Sequence, residues 1–249
     1  MPNIGAIDFP NPAFAPDETD LIAISAIDSA GNSLEINPEI EWPKLTAFGS
    51  TWDSEVLLAA YRLGMFPMPY EIAGQDCAIG WWSPAERAIF RPSDIVVSTS
   101  LSRAFKKFTI TMDQDFAAVV RACGDPSRPS GWINQDVIEA YCDLHRQGIA
   151  HCVEVWNHDG KLVGGLYGLE LGGVFAAESM FHTQSNASKV ALAFLGQRLS
   201  DDSGRIIDTQ WLTSHLASMG ATTLSRLEYC TALPELLALP AAFATPADS

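Results

Sequence analysis

The chain has 249 residues, of which 47% are hydrophobic, 18% charged and 10% aromatic, enough apolar surface for one large or two modest cores and too much for a chain disordered throughout. No apolar run approaches the roughly 18 residues of a membrane-spanning helix, and the opening MPNIGAIDFPNP lacks a basic and an apolar leader region, so a cytoplasmic protein with no membrane partner is predicted. The formal net charge of −15, from 15 basic and 30 acidic residues, taken as an average argues against a nucleic-acid partner.

The charge is not spread evenly. Residues 1–60 hold ten acids and one base, Lys44, and residues 1–45 are also rich in proline. This stretch reads as a loosely attached acidic arm. Within it DLIAISAIDSAGNSLEIN, with turn formers at Ala30-Gly31-Asn32, is compatible with a hairpin. The first helix is predicted over DSEVLLAAYRLGMF, capped by Asp53 or Ser54 and closed by Gly64, because Val56, Leu57, Ala60, Tyr61 and Leu63 repeat at helical spacing. The Gly, Pro and aromatic segment that follows reads as loops and short strands. Within 87–107, Arg87, Arg91, Arg103, Lys106 and Lys107 face Asp94 alone. This local excess is either a solvated helix face or a phosphate-contact patch.

Ser100–Phe108 is predicted as one basic amphipathic helix, FTITM as a strand, and DQDFAAVVRACG as a helix starting near Asp113. After a loop at 124–131 comes the helix NQDVIEAYCDLHRQG, closed by Gly148. HCVEVWN, KLVGGLYGLEL and GVFAAESMF form a predicted antiparallel meander, joined at His158-Asp159-Gly160 and Gly172-Gly173. A long helix, NASKVALAFLGQRLSD, is capped by Ser185 or Asn186 and ends near Gly204. The strand RIIDTQWL, a helix TSHLASMG with Thr213 as N-cap, and a final LSRLEYCTALPELLAL complete the chain. This order predicts an α+β fold around a largely antiparallel sheet and excludes a Rossmann fold. VGGLYG lies within a strand and precedes another strand, so it is not a phosphate loop. Its glycines predict close approach of a ligand or a neighbouring chain.

Cys77, Cys123, Cys142, Cys152 and Cys230 form no C-x-x-C pair and read as reduced, mostly buried thiols, and the five histidines have no ligand spacing. Neither a metal nor a cofactor is predicted. There is also no Ser-His-Asp or Cys-His set, so any reaction must rest on positioning. Asp208 and Gln210, two apart in an apolar strand, are predicted to leave one sheet face with Ile207 and Thr209 on the other. They either cap the next helix or meet a ligand. Glu178, a charge in FAAESMF, pairs with a protein arginine or with a substrate amine or guanidinium. Trp81, Trp82, Trp132, Phe175 and Met180 are core or pocket residues.

The segments LLAAYRLGMFP (57–67), WWSPAERAIF (81–90), GWINQDVIEAYCDLHRQGIAHCVEVW (131–156), LVGGLYG (162–168), ESMFHTQSNASKVAL (178–192) and IIDTQWLTSHLASMGA (206–221) together resemble leucyl/phenylalanyl-tRNA–protein transferases, collinearly over about 47–225. The resemblance implies transfer of Leu, Phe or Met from aminoacyl-tRNA to the α-amino group of proteins beginning with Arg or Lys, which marks them for degradation. The alternative is a non-catalytic binder of basic N-termini that has lost tRNA-dependent transfer. It implies an acetyltransferase-like (GNAT) catalytic domain at 93–235 behind a small N-terminal domain at 46–92, with an arm at 1–45 and a tail at 236–249. It further implies catalytic roles for Asp208, Gln210 and Glu178 and a donor pocket of Trp81, Trp82, Trp132, Leu166, Phe175, Met180, Leu195 and Ile207. Arg103, Lys106 and Lys107 would contact the tRNA. The chain departs from the family pattern at Phe48–Asp53, at Phe66-Pro67-Met68, and in an acidic insert of roughly 25 residues before the first helix.

Overall fold

The computed structural model describes residues 11–15, 20–25, 52–72, 75–128 and 132–243. The predicted turn at 30–32 lies outside them. The chain divides into two compact units, Met1–Arg87 with Leu224–Pro234, and Ala88–Thr223 with Glu235–Ser249.

The first unit is built on a three-stranded antiparallel sheet of β1 (Leu21–Ser25), β2 (Phe66–Ile72) and β3 (Gln75–Trp82), in the order β1-β3-β2. Residues 21–25, expected in a loose arm, are thus an edge strand. Pro67 and Pro69 are tolerated in β2 because it is the other edge, where a missing N–H breaks no ladder. Helix α1 (Ser54–Arg62) starts as predicted: the Asp53 carboxylate accepts the Glu55 N–H at 2.8 Å, and Gly64 takes φ +86° just past the end. Arg87 is buried, and its guanidinium lies 4.7 Å from the ring centroids of both Phe66 and Tyr229 while donating to the Gly64 carbonyl. It therefore contributes nothing to a basic surface. That removes one charge from the patch read at 87–107.

The second unit carries most of a seven-stranded sheet. Its strands are β4 (Glu86–Phe90), β5 (Thr109–Met112), β6 (Ala150–Trp156), β7 (Leu162–Leu171), β8 (Val174–His182), β9 (Ile206–Asp208) and β10 (Thr222–Ser225), in the order β10-β4-β9-β8-β7-β6-β5. The meander β6-β7-β8 is antiparallel as predicted, β5 adds antiparallel to β6 at the edge, and β9 joins β8 in parallel after the crossover helix α5 (Ala187–Leu199). A parallel neighbour requires such a crossover, which the long helix after the meander supplies.

Helix α2 (Thr99–Phe105) is capped by Ser98 and ends three residues before the Phe108 of the predicted Ser100–Phe108 helix, leaving Lys107 outside it. Helix α3 (Phe116–Cys123) begins at an Asp115 cap rather than near Asp113, which is held at φ +56° and accepts the Cys152 N–H at 2.8 Å. Helix α4 (Gln135–Arg146) is capped by Asn134, and the short α6 (Ser214–Ser218) by Thr213. Asn186 stands at the start of α5 in the left-handed region and makes no side-chain cap there, and the helix ends at Leu199 rather than near Gly204. Helix α7 (Arg226–Leu237) closes the described secondary structure.

Register divides the side chains between the two sheet faces. Phe90, Ile207, Phe175 and Glu170 are successive cross-strand partners, so they share one face, and Ile89, Asp208, Ala176 and Leu169 share the other. Helix α5 lies close on β7: a Cβ at Gly164 would stand 2.4 Å from the Ala187 Cβ, and one at Gly168 would stand 2.2 Å from the Ala176 carbonyl oxygen. The space left by these two glycines of VGGLYG is filled by the chain itself, not by a ligand.

Candidate active site

Asp208 ends β9 and is fully buried. Its Oδ1 accepts the backbone N–H of Gln210 at 2.9 Å, and Gln210 adopts φ +60°. The turn is pinned to β4, since Ala88 donates its N–H to the Gln210 carbonyl and Thr209 donates to the Ala88 carbonyl, both at 2.9 Å. The expected strand RIIDTQWL is therefore only three residues long. Because the left-handed residue breaks the period of two, Asp208 and Gln210 are joined by a local carboxylate–amide bond rather than by a shared strand face. Neither is the cap of α6, which is Thr213 Oγ1, accepting from Leu216 N–H at 3.2 Å. Gln210 is itself buried, and among the described residues its Nε2 has no hydrogen-bond partner. A non-glycine residue in the left-handed region is disfavoured by about 1–2 kcal/mol, so this turn holds a strained residue whose buried amide is unsatisfied. Such features concentrate where a ligand is handled.

Glu178 is the extra residue of a β-bulge. Gly168 faces Ala177 and Tyr167 faces Ser179, so one step on β7 matches two on β8. The bulge takes the carboxylate out of the alternation, and Tyr141 Oη of α4 donates to its Oε2 at 2.9 Å. This donor is a tyrosine hydroxyl, a partner that the sequence reading of Glu178 did not consider. Tyr167 lies edge-on to Tyr141, with ring centroids 5.3 Å apart. Burial first, and then the charge of Glu178, pushes the Tyr167 phenol well above its ordinary value, so it stays protonated. Sequence reasoning missed Tyr141 and Tyr167, because both fall at core-facing positions of a helix and a strand and nothing local distinguishes them. Arg128 was missed as well. It donates at 2.7 Å to the carbonyls of Cys123 and Met180, tying the loop after α3 to β8.

The pocket residues divide. Leu166, Phe175, Leu195 and Ile207 are buried in one hydrophobic cluster, and Met180 is half-buried against it. Trp132, half-buried before α4, is outside that cluster. Trp81, buried, and Trp82, half-buried, lie on β3 in the first unit. Arg103, Lys106 and Lys107 are exposed together on the last turn of α2 and just beyond it, above the buried Leu101 and Ala104.

Cys123 and Cys152 are buried free thiols, and Cys142 and Cys230 are free and half-buried. Burial pushes the Cys123 thiol up to about 12, which keeps it from acting as a thiolate. Among the described residues no group of three or more His, Cys, Asp or Glu side chains is placed to hold a metal ion, and no helix is long and apolar enough to cross a membrane.

The second unit thus holds a carboxylate-pinned glutamine, a bulged glutamate and an apolar cluster. Residues 89–234 match the family model described as leucyl/phenylalanyl-tRNA protein transferase, and residues 53–85 match that of its N-terminal domain. The leucyl/phenylalanyl-tRNA–protein transferase of Shewanella baltica (strain OS223) is 44% identical over 196 residues, covering 77% of this chain and 81% of that protein. That of Syntrophobacter fumaroxidans is 45% identical over 196 residues, covering 77% and 82%. That of Psychrobacter cryohalolentis is 36% identical over 251 residues, covering 94% and 82%. The chain belongs to the leucyl/phenylalanyl-tRNA protein transferase family and is a transferase enzyme. Among solved structures, L-PGS from Bacillus licheniformis is similar with a TM-score of 0.35 and 12% identity, over 53% of this chain and 48% of that one. A likeness of this size defines neither a fold nor an activity.

Proposed function

We propose that the chain moves Leu, Phe or Met from aminoacyl-tRNA to the N-terminal α-amino group of proteins beginning with Arg or Lys, marking them for degradation in the cytoplasm. In this reading the second unit is a GNAT-like catalytic domain. The observation that carries the proposal is the Asp208–Gln210 turn, with its buried, incompletely satisfied amide.

The aminoacyl ester is already activated, so the reaction is attack by a neutral amine on the ester carbonyl. The new C–N bond forms, the C–O bond to the ribose breaks, and one amine proton ends on the departing ribose oxygen. A peptide α-amino group has a pKa of roughly 7.7–8.0, so a useful fraction is neutral near pH 7. The Gln210 amide carbonyl accepts an N–H of that amine and aims its lone pair at the ester. Asp208 keeps the amide in place through the Gln210 backbone, which makes Asp208 an orienting residue and not the base. Glu178 meets a positive group of the acceptor. The apolar cluster around Phe175 and Ile207 takes the donor side chain and tolerates Leu, Phe and Met, since hydrophobic pockets discriminate weakly among similar shapes. Arg103, Lys106 and Lys107 contact phosphates of the tRNA.

The test uses purified chain, labelled Phe-tRNA and a peptide with N-terminal Arg. RNase-sensitive transfer of label to the peptide is expected. Binding of the peptide with no transfer would instead mark a binder of basic N-termini.

A further inference from the structure

The carboxylate of Glu170 on β7 is almost fully buried and accepts two consecutive backbone N–H groups from the C-terminal segment, those of Ala242 and Phe243. Two residues earlier the Pro240 carbonyl accepts from Arg205 Nη2 at 2.8 Å. The same buried guanidinium donates to the Gly172 carbonyl at 2.9 Å and to Asp201 at 2.9 Å. Residues 240–243 are thus tied to the second unit through one carboxylate and one guanidinium. This tether sets the place of the Phe243 ring. Its centroid lies 6.2 Å from that of Phe175 in an edge-on arrangement, and 5.2 Å from the ring of the fully buried His151.

Phe175 is held from two sides. A Cβ on Gly168 would come within 2.5 Å of Phe175 Cε1, so the ring rests on the space that glycine leaves, and the edge of Phe243 lies against it. Glu170, the direct cross-strand partner of Phe175, is also the residue that holds the Phe243 backbone. Ile207 is the partner of Phe175 on the opposite side.

We propose that the C-terminal segment Pro240–Phe243 determines donor specificity: Phe243 is a positioning residue that fixes the Phe175 ring and so sets the depth of the pocket for the donor side chain. This rests on the donor pocket proposed above. The segment lies beyond residues 89–234 of the family match. Without the Phe243 ring, Phe175 has room to swing back, the pocket deepens, and the bulkier donor gains most.

The experiment compares the full-length wild type and Phe243→Ala, with Leu-tRNA and Phe-tRNA in competition for one Arg-peptide. The expected result is a rise in the Phe-over-Leu ratio of kcat/KM on the order of 5- to 10-fold, the scale of a methylene-sized change in an apolar pocket. The change should fall in KM, with kcat within about twofold, because the Asp208–Gln210 turn is not touched. Phe243→Leu, which keeps most of the apolar bulk, should move the ratio back toward wild type. It is also the variant to score should Phe243→Ala not fold. An unchanged ratio in a folded variant overturns the inference, and so does an equal loss for both donors. A wild-type chain that transfers neither amino acid overturns the proposed function and this inference together, whereas wild-type transfer with an unmoved ratio overturns this inference alone.

Discussion

Gln210 combines a left-handed backbone with a buried amide, and the two properties separate experimentally. Gln210→Ala should slow transfer by about 100-fold, the scale at which positioning effects of a few kcal/mol appear. Gln210→Gly should lose transfer to the same extent while the unfolding free energy stays level or rises by up to about 1 kcal/mol, because glycine relieves the positive φ. Single-turnover transfer and urea unfolding measured on both variants check this; transfer at the wild-type rate would remove Gln210 from the mechanism. At Glu178, Tyr141→Phe removes the Tyr141–Glu178 hydrogen bond of 2.9 Å and should lower stability by about 1–2 kcal/mol. Asp208, Gln210 and Glu178 stood out as candidates in the sequence, since each is a polar group in apolar company. Their geometry was not. Alternation predicted a shared face for Asp208 and Gln210, but the backbone turns left-handed at Gln210, and no pattern of side chains announces that.

At the scale of elements, the close contact of β7 with its neighbours is testable at Gly168. A methyl there would stand 2.2 Å from the backbone oxygen of Ala176, and backbone in a central sheet cannot yield as a flexible side chain does. Gly168→Ala should therefore destabilise the protein by about 1–3 kcal/mol or more, with an unchanged m-value in urea. Helices α1 and α6 began where their caps predicted, because a cap is a local bond between a side chain and an amide two or three residues away. The start of α3 was misread by contrast. Asp113 looks like a cap, yet it is used by β6, where it binds the Cys152 N–H and, at 2.7 Å, His151. A long-range partner outcompeted the local one.

For the molecule as a whole, the −15 charge must coexist with an RNA substrate under the proposed function. Arg103, Lys106 and Lys107 lie together and exposed at the end of α2 and just beyond it. Replacing all three by Ala should weaken tRNA binding and flatten the slope of log K against log salt by about 2–3, since each phosphate contact contributes roughly 0.7–0.9. An unchanged slope would place the tRNA elsewhere. The family, the α+β class, the β6-β7-β8 meander and the caps of α1 and α6 were legible in the chain alone, because composition, periodicity and capping act over a few residues and leave local traces. That Arg87 is a buried core cation and not part of a basic surface shows only once the fold is assembled. The same holds for the bulge that takes Glu178 to Tyr141, and for Glu170 holding the C-terminal segment beside Phe175. Each of these depends on which distant groups meet when the sheet assembles. In each case the desolvation cost of both partners is offset only by the bonds they make to one another, which neither segment records alone.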